Sequence, residues 1–320
     1  MPTLTVEKNQ IRPKGGGELS GRYLQLSSSV VNWKETGTKF THCPVDATQK
    51  GRNIMKEFSD IKRIVVKIGS SSLTHSGGGI NFRKIDRIAM VLSDIKNMGK
   101  EVILVTSGAV GAGMAKLGMR ERPRIMEEKQ AAASVGQCEL MFIYDKYFSE
   151  YGQTIAQLLL HKDVTTQENL RENAQNTLET LLRYGAIPVI NENDSIAVDE
   201  IAYGDNDTLS AITASLVDAD LLVLLTDIDG LYTANPADHP DATLIERVEG
   251  FDPALYDIAG GSGSKVGTGG MVTKLHAVEI AFEKQIPVAL CNGADPAILY
   301  DVLSGDFTGT LFVPTEKEGE

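Results

Sequence analysis

Cysteine is scarce in this sequence: Cys43, Cys138 and Cys291 are the three in 320 residues. They are odd in number, far apart, and part of neither a C-x-x-C pair nor a Cys/His cluster. That pattern suggests neither a disulfide framework nor a zinc site, and it suits thiols kept reduced in a cytosol. Long hydrophobic runs are missing as well. The longest, such as LLVLL at 221–225, fall far short of the roughly 20 apolar residues that span a bilayer. The first residues lack the apolar stretch of roughly 7 to 15 residues that a signal peptide needs, so a cytoplasmic location is expected. Positive charge is in deficit, with a formal net charge of −12. That argues against a basic face for nucleic acid or for an anionic membrane. A small anionic substrate stays compatible, because a few lysines reverse the field inside one cleft. The P-loop pattern G-x-x-x-x-G-K-[S/T] does not occur, so any phosphate site has to be built otherwise.

What is present begins to organise late. Residues 1–54 contain KGGGELSG and LSSSVV without a sustained helical or strand period, and read as an N-terminal extension. The domain is expected over 55–320, opening with MKEFSDIKRIVVKIG, and the 42% of hydrophobic residues leaves ample material for its core.

From Ile61 onward, short β-rich runs alternate with helical patterns. Strands are expected at 61–69, 101–108, 153–160, 186–194, 220–227 and 286–293, with GTLFVP at 309–314 closing the domain. Helices are expected at 81–99, 124–150, 166–185, 206–219, 269–285 and 296–305. In the first helix Phe82, Ile85, Ile88, Ala89, Leu92 and Ile95 recur at helical spacing, and Gly99 stops it. Apolar strands separated by helices mean βαβ units, hence a mostly parallel sheet covered on both faces. Ligands of such sheets sit outside the C-terminal strand ends. The positions to inspect are therefore Lys67 to Ser70, Thr106 to Gly108, Asn191 to Asp194, Thr226 to Asp227 and Asn292 to Gly293.

Each of these groups has a bland reading and a chemical one. Lys67 in VVKIGSSS either points to solvent by strand alternation or stands beside a backbone nest that holds phosphate oxygens. TSGAVGAG at 106–113 is either a tight strand-to-helix turn or an anion site at a helix N-terminus. NENDSI at 191–196 and GDNDTL at 204–209 are turn formers and caps, or together a place for an ammonium group, a lysine or a hydrated magnesium. LLTDIDGLYTANP at 224–236 is a surface loop, or the wall of an adenine pocket with Tyr232 as a stacking face. GTGGMVTKL at 267–275 puts glycines and Lys274 at the start of a helix. Two lysines from opposite ends of the chain, with carboxylates between them, suit phosphoryl transfer, where the protein mainly positions groups and stabilises charge.

Six motifs in sequence, VVKIGSSSL, VTSGAVGAG, PVINENDSI, GDNDTLSA, LLTDIDGLYTANP and GTGGMVTKL, resemble the glutamate 5-kinase branch of the amino acid kinase family from about Lys62 to Pro314. The resemblance implies an α/β three-layer sandwich, with a mainly parallel, roughly eight-stranded open sheet between helix layers. It implies transfer of phosphate from ATP, with Mg2+, to the γ-carboxylate of L-glutamate, the first step of proline synthesis. Lys67 then resembles the lysine on the transferred phosphate, Lys274 the second lysine, and Asp207 the aspartate orienting both. Ser107, Gly108, Asp194 and Asn206 match the glutamate site, with Asp194 taking the α-ammonium. Lys67, Gly69, Thr226, Asp227 and the run Thr268, Gly269, Gly270, Met271, Val272, Thr273 and Lys274 match the nucleotide site. Gly69 and Gly108 would present backbone N–H groups. The γ-carboxylate is ionised near neutral pH, so no side-chain nucleophile or general base is needed. No resident metal is expected. The resemblance also implies feedback inhibition by L-proline, and a homo-oligomer is expected. Many bacterial members carry a C-terminal PUA domain; this sequence is expected to be a form without it.

Two other readings compete. A sister kinase of the same fold would act on N-acetylglutamate, aspartate, carbamate or UMP, but the acidic NENDSI and GDNDTL pair suits a free α-amino group better. A non-catalytic amino-acid sensor would not require Lys67, Lys274 and Asp207 together.

Overall fold

Strand β1 (Arg63–Ile68) sets the plan of the molecule. Ile64, Val66 and Ile68 enter one apolar core, while Val65 enters another on the opposite side. A strand that is apolar on both faces needs cover on both, which is the arrangement of a parallel sheet between helix layers. The computed structural model, which describes residues 58, 60–75, 79–196, 206–259 and 270–315, has that arrangement. The expected extension at 1–54 lies outside the described residues.

After β1 come α1 (Ser70–Leu73), α2 (Phe82–Asn97), β2 (Glu101–Val105), α3 (Ala109–Leu117), α4 (Met126–Glu150), β3 (Ile155–Leu160) and α5 (Glu168–Arg183). Then follow β4 (Ile187–Glu192), α6 (Asn206–Leu216), β5 (Leu221–Thr226), β6 (Arg247–Glu249), α7 (Leu255–Ile258), α8 (Met271–Glu283), β7 (Val288–Asn292), α9 (Ile298–Ser304) and β8 (Gly309–Val313). The strands form one 8-stranded sheet in the order β3-β4-β2-β1-β5-β7-β8-β6. Neighbours are parallel except β7 and β8. Helices α2, α4 and α9 pack on the face of Ile64, Val66, Leu104, Val189 and Val223. Helices α5, α6 and α8 pack on the face of Val65, Ile103, Ile190, Leu222 and Leu224. The fold is thus the expected α/β three-layer sandwich, with β1 central and its C-terminal end level with those of β2 and β5. Among the described residues no helix is long and apolar enough to cross a membrane.

Two local departures from the expected elements are instructive. Strand β2 ends at Val105 rather than at residue 108, and α3 starts at Ala109. Gly108 turns the chain between them with φ 98°, a left-handed conformation that favours glycine. Gly111 and Gly113 therefore lie within a helix instead of a turn. Their neighbourhood explains the composition: a Cβ on Gly113 would lie 1.7 Å from the Ala132 carbonyl oxygen, and one on Gly136 1.7 Å from that of Ala109. Helices α3 and α4 meet backbone to backbone, and only glycine permits that distance. The second departure is β6, three residues at the sheet edge and too short to show a period.

Candidate functional site

Alternation along β1 puts Lys67 on the same side as Val65, under α6 and α8. Solvent is not an option there, because both sheet faces are covered, and Lys67 is only 4% exposed. Its partner is Asp207 in the first turn of α6, whose Oδ1 lies 2.5 Å from Lys67 Nζ. The other carboxylate oxygen, Oδ2, lies 3.1 Å from Lys274 Nζ and 3.2 Å from Thr273 Oγ1, both on α8. Asp207 is fully buried and Lys274 nearly so. A lone buried carboxylate would be costly, and two ammonium groups offset that cost. Asp207 thereby fixes two cations at the C-terminal edge of the sheet. Its place in the first turn of α6 adds a favourable interaction with the helix dipole.

The preceding residue, Asn206, anchors a second cluster. Its Nδ2 donates to the Thr106 carbonyl, to Ser107 Oγ at 2.9 Å and to Asn191 Oδ1 at 2.8 Å. Asn191 Nδ2 in turn donates to Gln137 Oε1 at 2.9 Å. Because Asn206 and Asp207 are consecutive, one helix end joins the two clusters. Tyr144 closes the floor, with its hydroxyl 2.7 Å from Thr106 Oγ1. Burial pushes the Tyr144 phenol far above its ordinary pKa, partly countered by that hydrogen bond, so it stays protonated. Asp194 is half-buried in the turn after β4, next to Ser195, whose Oγ accepts from Ser134 Oγ of α4 at 3.0 Å.

Gly69 caps α1 beside Lys67; a Cβ there would stand 3.8 Å from Lys67 Nζ. Thr226 ends β5, its Oγ1 3.1 Å from Asp227 Oδ1, and its carbonyl accepts from Gly293 N–H. The loop after β5 is tied to the end of β7, since Asn292 Nδ2 donates to Asp229 Oδ1 at 2.9 Å. Tyr232 donates to Asp229 Oδ2 at 3.0 Å. Gly270 caps α8, and Met271, Val272 and Thr273 form its first turn. Thr268 and Gly269 lie outside the described residues.

The structure thus joins Lys67, Asp207, Thr273 and Lys274 in one group and Ser107 with Asn206 in a second. Thr106 and Asn191, marked in the sequence by their strand-end positions and by the TSGAVGAG and NENDSI motifs, belong to the second group as well, whereas Gln137 was missed. The available signal at Gln137 was one polar residue on the buried stripe of α4. Among the described residues no group of three or more His, Cys, Asp or Glu side chains is placed to hold a metal ion.

Comparison with known proteins agrees with this geometry. Residues 62–292 match the model of the amino acid kinase family. The chain is 49% identical over 269 residues to a glutamate 5-kinase of Clostridium perfringens, covering 83% of this chain and 99% of that one. It is 51% identical over 261 residues to a glutamate 5-kinase of Listeria innocua, covering 80% and 95%. Among solved structures, UMP kinase from Ureaplasma parvum superposes with a TM-score of 0.56 at 18% identity, over 79% of this chain and 99% of that one. Isopentenyl phosphate kinase of T. acidophilum gives 0.53 at 21% identity, over 78% and 100%. At those identities the two structures speak for the fold alone, whereas the family model and the two half-identical relatives, spanning nearly their whole length, place this chain in the amino acid kinase family.

Proposed function

We propose that the chain transfers the γ-phosphoryl group of ATP to the γ-carboxylate of L-glutamate, giving L-glutamyl 5-phosphate and ADP. The product suits the first step of proline biosynthesis. The observation that carries the reading is the single buried carboxylate of Asp207 holding Lys67 and Lys274 at the sheet edge. A glutamate carboxylate oxygen attacks the γ-phosphorus while the bond to the ADP oxygen breaks, and negative charge spreads over the phosphoryl oxygens. Two ammonium groups fixed beforehand stabilise that charge without reorganising. Lys67 serves the transferred phosphate, Lys274 the bridging and γ-oxygens, and Asp207 orients both. Backbone N–H groups at Gly69 and Gly108 complete the cradle.

Ser107, Asn206 and Asp194 take the amino acid, with Asp194 on its ammonium. Thr226, Asp227 and the α8 start from Gly270 to Lys274, together with Thr268 and Gly269, take the nucleotide. Magnesium arrives on the ATP phosphates as part of the substrate. The catalytic unit is placed at 55–320, in a homo-oligomer, with L-proline as feedback inhibitor. The test is hydroxamate formation dependent on both ATP and L-glutamate. Turnover with N-acetylglutamate, aspartate, carbamate or UMP instead would move the chain to a sister activity. Binding of glutamate without turnover would make it a sensor. Initial rates against glutamate at several proline concentrations test the inhibitor: relief by glutamate is expected.

A further inference from the structure

A carboxamide can offer a ligand either its oxygen or its nitrogen, and which one it offers decides what it recognises. At Asn206 the choice is set by its surroundings. The Thr106 carbonyl can only accept, so the Asn206 atom beside it is Nδ2. One link further, the Glu192 backbone N–H can only donate, so the Asn191 atom 2.9 Å from it is Oδ1. The same Oδ1 accepts from Asn206 Nδ2, which turns Asn191 Nδ2 toward Gln137 Oε1. Three carboxamides thus run head to tail, Asn206 and Asn191 each set by a backbone group and Gln137 at the far end, and none can flip without setting donor against donor or acceptor against acceptor.

Gln137 ends this chain with one donor unmatched. It is 8% exposed, and its Nε2 is buried without a hydrogen-bond partner among the described residues. Buried donors are seldom left so, and each such case calls for a reason. Turning the amide over would set Nε2 against Asn191 Nδ2. Gln137 therefore keeps an orphaned donor in order to keep its acceptor on Asn191.

We propose that Gln137 is a positioning residue of the amino-acid site: acting through Asn191, it holds the Asn206 carboxamide with Nδ2 committed to the protein and Oδ1 left as an acceptor for the ligand's ammonium group. The two hydrogens of Nδ2 already serve three acceptors, Thr106, Ser107 and Asn191. What Asn206 retains is Oδ1, which suits a donor and repels a carboxylate. The one strong donor of an amino acid is its ammonium. The inference rests on the reading of this site as one for an amino acid.

The test is Gln137→Met, of similar length but without the acceptor. KM for L-glutamate and for ATP is measured, with glutarate, which keeps both carboxylates and lacks the amino group, as competitor or substrate. Thermal melting confirms folding. Loss of one ammonium hydrogen bond is expected to raise the glutamate KM about tenfold and lower the preference for glutamate over glutarate by a similar factor. KM for ATP is expected to stay put, which a general loosening of structure would not allow. Adding Gln137→Met to Asn191→Ala is expected to cost no further preference. An unchanged preference in folded Gln137→Met overturns the proposal, as does a further loss in the double variant, which would mean direct contact with the ligand. If Gln137→Met does not fold, Asn191→Ser breaks the same chain one link nearer the ligand, and an unchanged preference there is equally fatal. No turnover of L-glutamate by the unaltered protein would remove the functional reading and this inference with it, an outcome distinct from an active enzyme whose preference survives.

Discussion

The two ends of β1 carry opposite solutions to the same problem. Arg63 and Lys67 lie four residues apart on one strand and, by its alternation, on one face. Arg63 Nε stands 2.7 Å from Glu101 and Nη1 2.6 Å from Glu179, and the guanidinium also donates to the Val217 carbonyl. That group has one cation for two anions, and the acids are 42% and 44% exposed. Burial opposes the Arg63 charge, but Glu179 and Glu101 outweigh it and raise its pKa above the ordinary value. At the other end, two cations share one carboxylate, with side-chain exposures of 5%, 7% and 1% for Lys67, Lys274 and Asp207. The first group is wet and supplied with its own counter-charges, as a structural clamp should be. The second is dry and rich in cations, as a site that receives an anion should be. Position on the strand decides between them, because ligands meet a parallel sheet at its C-terminal edge.

The comparison is broken most severely at Asp207. Asp207→Asn leaves two buried ammonium groups on a neutral amide and should destabilise the fold by about 3–5 kcal/mol; urea unfolding measures it. A loss under 1 kcal/mol would mean that the pair is not electrostatically coupled as described. Next in size are Lys274→Ala and Lys67→Ala. Each should lower kcat by about 10²–10³ with the protein still folded, since each removes a preorganised charge stabiliser. Near-normal kcat in either variant would withdraw that lysine from the reaction. Asp194→Ala should raise the glutamate KM by about tenfold or more with the ATP KM little changed, as for loss of a charged hydrogen-bond partner. Equal rises in both constants would reassign Asp194 to holding the turn. The smallest effect belongs to the opposite end of the strand. Glu101→Gln should cost about 0.2–1 kcal/mol of stability, the usual range for a partly exposed pair, and leave kcat alone. A drop in kcat there would erase the distinction between the two ends.

Much of this was legible in the residues. Alternating apolar strands and amphipathic helices required a sheet covered on both faces, and Asn81 and Gly99 mark the ends of α2 as their chemistry suggests. The strand-end rule by itself leads to Lys67, Ser107, Asn191, Asp194 and Thr226. The glycines of 106–113 were legible as special but not as to why. Gly113 serves contact with Ala132, 19 positions along the chain, and nothing local in the sequence records that. The three-residue β6 was invisible for a simpler reason, since a period cannot show itself in so few positions.

Sequence by itself determined the inventory of this protein: which segments alternate, where glycine frees the backbone, and which charged residues stand at strand ends. Local spacing and backbone sterics are enough for that. Tertiary structure alone decided the direction of Lys67, which alternation leaves free to face water until a helix layer covers it. It also decided that Asp207 would receive lysines 140 residues before it and 67 after it in the chain, and that Gln137 on α4 would meet Asn191 on β4. Those are long-range encounters, and they depend on how the sheet and its two helix layers close around one edge.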